Sequence, residues 1–151
     1  MRPAVRLSKP VRAALVALCC ACGLAAAQQT QTVDGVVVNL GIVPAEVALR
    51  AEGHRESHPA NPPHGSQHLL ITLDDAKTNR RIGDAEVIVD VTDPRGHVEK
   101  KPMLHTQSRG LADYSELFMF GWSGDYDIRA VVTQPAPRPS FTVRFTYHHE
   151  I

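Results

Sequence analysis

The sequence predicts an all-β chain folded as an antiparallel sandwich of about seven or eight strands, on three observations. Apolar residues alternate with polar ones or run in short blocks. Clusters of Gly, Pro, Asn and Asp separate those blocks, and no stretch sustains the three-and-four spacing of an amphipathic helix. Successive strand side chains point to opposite faces, so a strand with one apolar face needs a second sheet to bury it.

Residues 1–27 are set aside first as an export signal. Arg2, Arg6, Lys9 and Arg12 form a basic head, residues 13–24 are an apolar run of 12, and Ala25-Ala26-Ala27 offers small residues at a cleavage site. The run is shorter than the roughly 20 residues a resident membrane helix needs. Cleavage near Ala27 and a periplasmic destination are expected. A lipid-anchored alternative would acylate Cys22, but Cys19 and Cys20 stand where such signals want Leu and a small residue. All three cysteines lie in this segment, so residues 28–151 contain no thiol to make a disulfide or bind a metal.

The remaining 124 residues suit one domain. Without the four basic residues of the signal they carry 12 Lys and Arg against 16 Asp and Glu, a net of −4 with His neutral. That balance offers no basic footprint for nucleic acid.

Strands are expected at 36–40 (VVVNL) and 43–49 (VPAEVAL), followed by a His- and Pro-rich loop at about 50–67, where Pro59, Pro62 and Pro63 exclude a strand interior or a stable helix. Residues 68–74 (HLLITLD) form the next strand and 76–79 a turn. In 85–92 (AEVIVDVT), Val87, Val89 and Val91 share one face and Glu86, Asp90 and Thr92 the other. Asp93-Pro94-Arg95-Gly96 is a turn by composition. Residues 97–106 read as a poorer strand, because Pro102 lacks an amide donor and belongs on an edge or bulge. Residues 114–120, a strand containing Tyr126, Ile128, Ala130 and Val132, and one carrying Phe141, Val143, Phe145 and Tyr147 complete the set. The inward faces predict a core of Leu69, Ile71, Leu73, Val87, Val89, Ile128, Val132, Val143 and Phe145.

Enzyme chemistry finds little support. Ser123 in Gly121-Trp122-Ser123-Gly124 lacks the spacing of a nucleophile elbow and reads as a turn. Asp74 and Asp75 are adjacent, so on a strand they diverge and cannot flank one substrate bond. No HExxH, calcium loop or phosphate-cradling glycine loop occurs.

Histidine is the informative residue type. His54, His58, His64 and His68 stand in two HxxxH spacings, but the prolines argue against a helix that would align them. A solvated loop is the plainer reading, with His68 the most credible single donor. Met103 and His105 are two apart on an expected strand, on one alternation with Glu99 and Lys101, which suggests a polar face and a partly exposed thioether. A thioether beside an imidazole suits Cu(I). A gap-filling core Met is the competing reading. His148 and His149 diverge on a strand, so at most one joins a site built elsewhere. The candidate metal set is Met103, His105, His68 and His148, with copper the expected ion.

The series HLLITLDD at 68–75, IGDAEV at 82–87, DPRG at 93–96, KPM at 101–103, Tyr114, GDYDIR at 124–129 and FTYH at 145–148 resembles the YtkA-like and FixH-like exported domains. The resemblance covers about residues 67–148 and leaves 33–49 outside. It implies an immunoglobulin-like sandwich and a periplasmic accessory role, in some relatives connected with copper handling or oxidase assembly. Two classes of function follow: an accessory that binds or delivers a metal, and a non-catalytic module that docks on an exported or membrane-bound protein with its histidines incidental.

Overall fold

The computed structural model describes residues 27–52, 61–108 and 111–151. Residues 1–26 of the expected signal, Cys22 among them, and His54 and His58 of the loop lie outside the described residues. The expected antiparallel sandwich is present, with nine strands and one short helix among the described residues.

The first hairpin joins β1 (Ala27–Val33) to β2 (Val36–Pro44) through Asp34-Gly35, with φ of 49° and 79°. Positive φ at both positions of a two-residue loop matches the twist of the flanking strands, and Asp-Gly is a favoured pair for it. β1 was not expected. Its sequence AQQTQTV has no apolar alternation because it is an edge strand. Its glutamines cover another edge: Gln29 Nε2 donates to the Thr146 carbonyl at 2.7 Å and Gln31 Nε2 to that of Arg144. An edge whose carbonyls are capped in this way is a poor template for aggregation.

The strand expected at 43–49 is corrected. β2 runs on to Pro44, and the chain then turns into α1 (Ala45–Glu52). Val43, Ala45, Val47 and Leu49 alternate like a strand, but AEVALRAE consists mostly of strong helix formers, with Glu46 in the first turn and Arg50 in the last to complement the dipole. Arg50 Nε also donates to the Glu46 carbonyl at 3.0 Å. Ala45 and Ala48, one turn apart, are the buried pair, and α1 packs against β2 and β3 (Ser66–Asp75).

β4 (Glu86–Thr92), β5 (Val98–Pro102), β6 (Leu104–Ser108), β7 (Leu111–Met119), β8 (Gly124–Thr133) and β9 (Phe141–His149) follow. One sheet has the order β1-β2-β3-β7-β6, the other β5-β4-β8-β9, and all pairs are antiparallel. The single strand expected at 97–106 is therefore two strands in different sheets. Pro102 ends edge strand β5, in keeping with its missing donor, and Met103 carries the chain across, its N–H donating to the Val87 carbonyl at 2.8 Å.

All nine predicted core residues are buried, each at 2% exposure or less. Val38, Leu40 and Ile42 lie beside Leu73, Ile71 and Leu69 in one sheet and face the other sheet's valines and aromatics. Burying each of these aliphatic side chains contributes roughly 1.5–3 kcal/mol. Tyr114 reaches through this core, its hydroxyl accepting the Ala85 N–H at 3.0 Å and donating to the Ile82 carbonyl at 3.4 Å.

Two turns meet at one end. A Cβ on Gly124 would stand 2.9 Å from Pro94 Cγ, so the 121–124 and 93–96 turns approach this closely because residue 124 is glycine. The Tyr126 hydroxyl fixes the first turn, accepting from Trp122 N at 3.1 Å and donating to Trp122 O at 3.0 Å. Among the described residues no helix is long and apolar enough to cross a membrane.

Candidate metal-binding site

Strand pairing decides whether the four expected ligands can meet. His105 on β6 lies directly opposite Tyr114 on β7, with ring centroids 5.4 Å apart. Opposed residues share a face and Tyr114 is in the core, so His105 lies on the inner side of its sheet, exposed at the open edge. His68 pairs with Leu117, three positions along β7 from Tyr114 and therefore on the opposite, outer face. It is 4% exposed there, between Val43 and Leu117.

His148 is exposed on the outer face of the other sheet, its Nδ1 2.6 Å from Asp125 Oδ1. Met103, expected to be partly exposed, is 7% exposed and belongs to the core cluster. The expected set of Met103, His105, His68 and His148 is corrected accordingly: the structure does not bring it together. The alternation that was to put Met103 and His105 side by side is broken where the chain changes sheets.

Other donors line a single groove. A groove of about 420 Å³ at the end of the sandwich is lined by His64, His149, Glu46 and Glu150, with Phe120 among its apolar residues. His64 belongs to the predicted loop. It lies within a turn in which Ser66 N donates to Pro63 O at 3.1 Å and Gly65 adopts a φ of 84°. His149 continues the inward alternation of Phe141, Val143, Phe145 and Tyr147 to the rim, and its ring lies edge-on to Phe120 with centroids 5.6 Å apart. Burial holds its pKa below the ordinary 6.5. Nearby His148 pushes the same way, and the hydrogen bond to the Phe120 backbone opposes them. A neutral imidazole is the form that donates to a metal.

Among the described residues no group of three or more His, Cys, Asp or Glu is arranged to hold an ion, so they form no closed centre of that kind. The end groove is lined by two imidazoles and two exposed carboxylates, which do not make such a group.

The groove of about 570 Å³ at the opposite turns has another character. Arg81 in its wall is held by Asp74 and Asp113 at 2.8 and 2.7 Å, Arg138 by Asp84, and Asp75 by the turn at Lys77 and Thr78. These charges serve the fold. Asp74 and Asp75 thus diverge as expected, and Ser123 is a turn residue whose Oγ accepts the Ile151 N–H at 3.2 Å.

A two-sheet antiparallel sandwich with an imidazole-lined end groove is the class of protein the geometry defines. No family model matches the chain, and no curated protein matches it. Solved structures share the fold. A copper-bound variant of FetP from uropathogenic Escherichia coli aligns with a TM-score of 0.64 at 10% identity, over 82% of this chain and 95% of FetP. Copper-reconstituted P19 from Campylobacter jejuni aligns at 0.61 and 8% identity, over 80% of this chain and 92% of P19. A DUF4426 family protein from Pseudomonas aeruginosa aligns at 0.62 and 12%, over 80% of this chain and 96% of that protein.

Proposed function

We propose that this protein is an exported, non-catalytic accessory that binds a copper ion and passes it on. The observation that carries the reading is the end groove, whose lining includes His64, His149, Glu46 and Glu150. Imidazole and carboxylate suit Cu(II), which such donors bind more tightly than Zn²⁺, and residues 28–151 hold no thiolate for an iron–sulfur cluster. Copper-bound FetP and copper-reconstituted P19 share the sandwich. The signal-like first 27 residues and the YtkA-like and FixH-like pattern support an exported setting. An open pair of imidazoles holds an ion more loosely than a closed set of four, as delivery requires.

The test is metal analysis of the protein purified from the exported fraction, followed by a competition titration with Cu(II). Bound copper, and a Cu(II) affinity that falls about tenfold or more in His64→Ala and His149→Ala, is the expected result. Purified protein that holds no copper and shows no affinity at about micromolar concentration overturns the proposal and leaves docking on an exported or membrane-bound partner as the function.

A further inference from the structure

Among the described residues, Met119 is the methionine at the surface, 42% exposed, whereas Met103 is buried at 7%. It ends β7 between Phe118 and Phe120, both 1% exposed, so alternation turns its thioether away from the core. A flexible apolar side chain there contributes little packing, and its sulfur is open to a ligand.

The neighbouring groove, about 480 Å³ between the start of β5 and the end of β7, is lined by Met119, His97, Asp93, Glu99, Arg95 and Trp122 among others. Glu99 Oε2 accepts the Met119 N–H at 2.9 Å, which fastens the two elements together. His97 lies two residues before Glu99, just ahead of β5, and is exposed in the same groove.

Both oxygens of Glu99 and one of Asp93 already carry bonds. Glu99 Oε1 pairs with Lys101 Nζ at 2.8 Å, and Asp93 Oδ1 accepts the Arg95 and His97 N–H groups, each at 2.9 Å. The His97 imidazole makes no hydrogen bond among the described residues. The softest donors here are one nitrogen and one sulfur, a pair that favours a soft monovalent cation over Ca²⁺ or Mg²⁺, which demand oxygen. Arg95 lies 3.2 Å from the Trp122 ring centroid, which holds the indole as a wall and adds positive charge that penalises a divalent ion more than a monovalent one.

We propose that Met119 and His97 form a Cu(I) site, one thioether and one imidazole, distinct from the end groove. The choice of copper rests on the functional reading above; the donor pair stands on this groove. The sulfur lies 3.6 Å from where a Cβ on Gly65 would stand, and Gly65 follows His64. The thioether therefore adjoins the loop that carries an imidazole of the end groove.

The test uses Ag(I), a redox-inert stand-in for Cu(I), with NMR of methyl-labelled methionine and of the imidazoles. At one equivalent the Met119 methyl and His97 ring should shift together while Met103 stays in place. In competition titrations Met119→Leu and His97→Ala should each lower Cu(I) affinity by about tenfold or more, with the thermal midpoint of Met119→Leu unchanged because the side chain is exposed and the volume conserved. Equal Cu(I) affinity in wild type and both variants, or Ag(I) shifts confined to His64 and His149, overturns the site. A protein that still takes Cu(II) in the end groove would then refute this inference alone, whereas one that takes neither ion refutes the functional proposal as well.

Discussion

Tyr114→Phe removes one oxygen from the centre of the sandwich and leaves the ring in place. The side chain is 1% exposed, and burial pushes its hydroxyl pKa above the ordinary 10. The lost groups are a 3.0 Å bond from the Ala85 N–H and a 3.4 Å bond to the Ile82 carbonyl, the second too long to contribute much. The shorter bond contributes about 0.5–1.5 kcal/mol net, and leaving the Ala85 N–H without a partner adds a desolvation cost that half-burial keeps small. Because the ring volume is retained, no cavity term enters. The sum is about 1–2 kcal/mol, or roughly 3–6 °C per kcal/mol in thermal midpoint for a domain of this size. Urea unfolding at neutral pH measures it. The m-value should not change, because the surface exposed on unfolding is the same. An unchanged midpoint would mean that the hydroxyl does not hold the 82–85 segment to β7. A loss above about 4 kcal/mol with an altered m-value would mean that the core had rearranged, and the reasoning would fail.

Val89→Ala, at a fully buried position, should cost about 1–3 kcal/mol in the same assay, and a near-zero change would show the face assigned wrongly. Met103→Leu should cost less than about 1.5 kcal/mol and leave Cu(I) affinity unaltered, since the thioether lies in the core; a large fall in affinity would return Met103 to the site. His149 gives a pH dependence. Its folded pKa lies below 6.5, so its contribution is complete above that pH and is lost as pH falls through the folded value, because the unfolded chain takes the proton first. His149→Gln should therefore lose less stability than wild type between about pH 7.5 and about pH 5, and parallel curves would refute the assignment.

Alternation alone determined the two-sheet core, from Leu69, Ile71 and Leu73 in one sheet to Val87, Val89, Ile128 and Phe145 in the other. The physical reason is local: each strand has a face that water disfavours, and a period of two is visible in any window of six residues. The Asp34-Gly35 hairpin was missed, because the polar strand before it shows no apolar alternation to flank the dipeptide. Helix α1 was ambiguous, because Val43 to Leu49 satisfies both periods and only the propensities of AEVALRAE and the place to bury Ala45 and Ala48 decide between them.

The candidate site was legible only as a set of residue types. His64 could be named as a potential donor, yet its partner His149 is 85 positions away and reaches the same groove because β9 and the turn before β3 end at one rim. Met103 and His105 looked paired because spacing in sequence says nothing of a change of sheet between them. Met119 could have been found from its place between two core phenylalanines, which turns it outward, but the groove it shares with His97 depends on the bond between Glu99 and the Met119 amide, a contact across 20 residues that exists only once β5 and β7 are packed. Faces are determined by neighbours in the chain, whereas convergence of ligands is determined by which strand ends share a rim, and only the tertiary structure decides that.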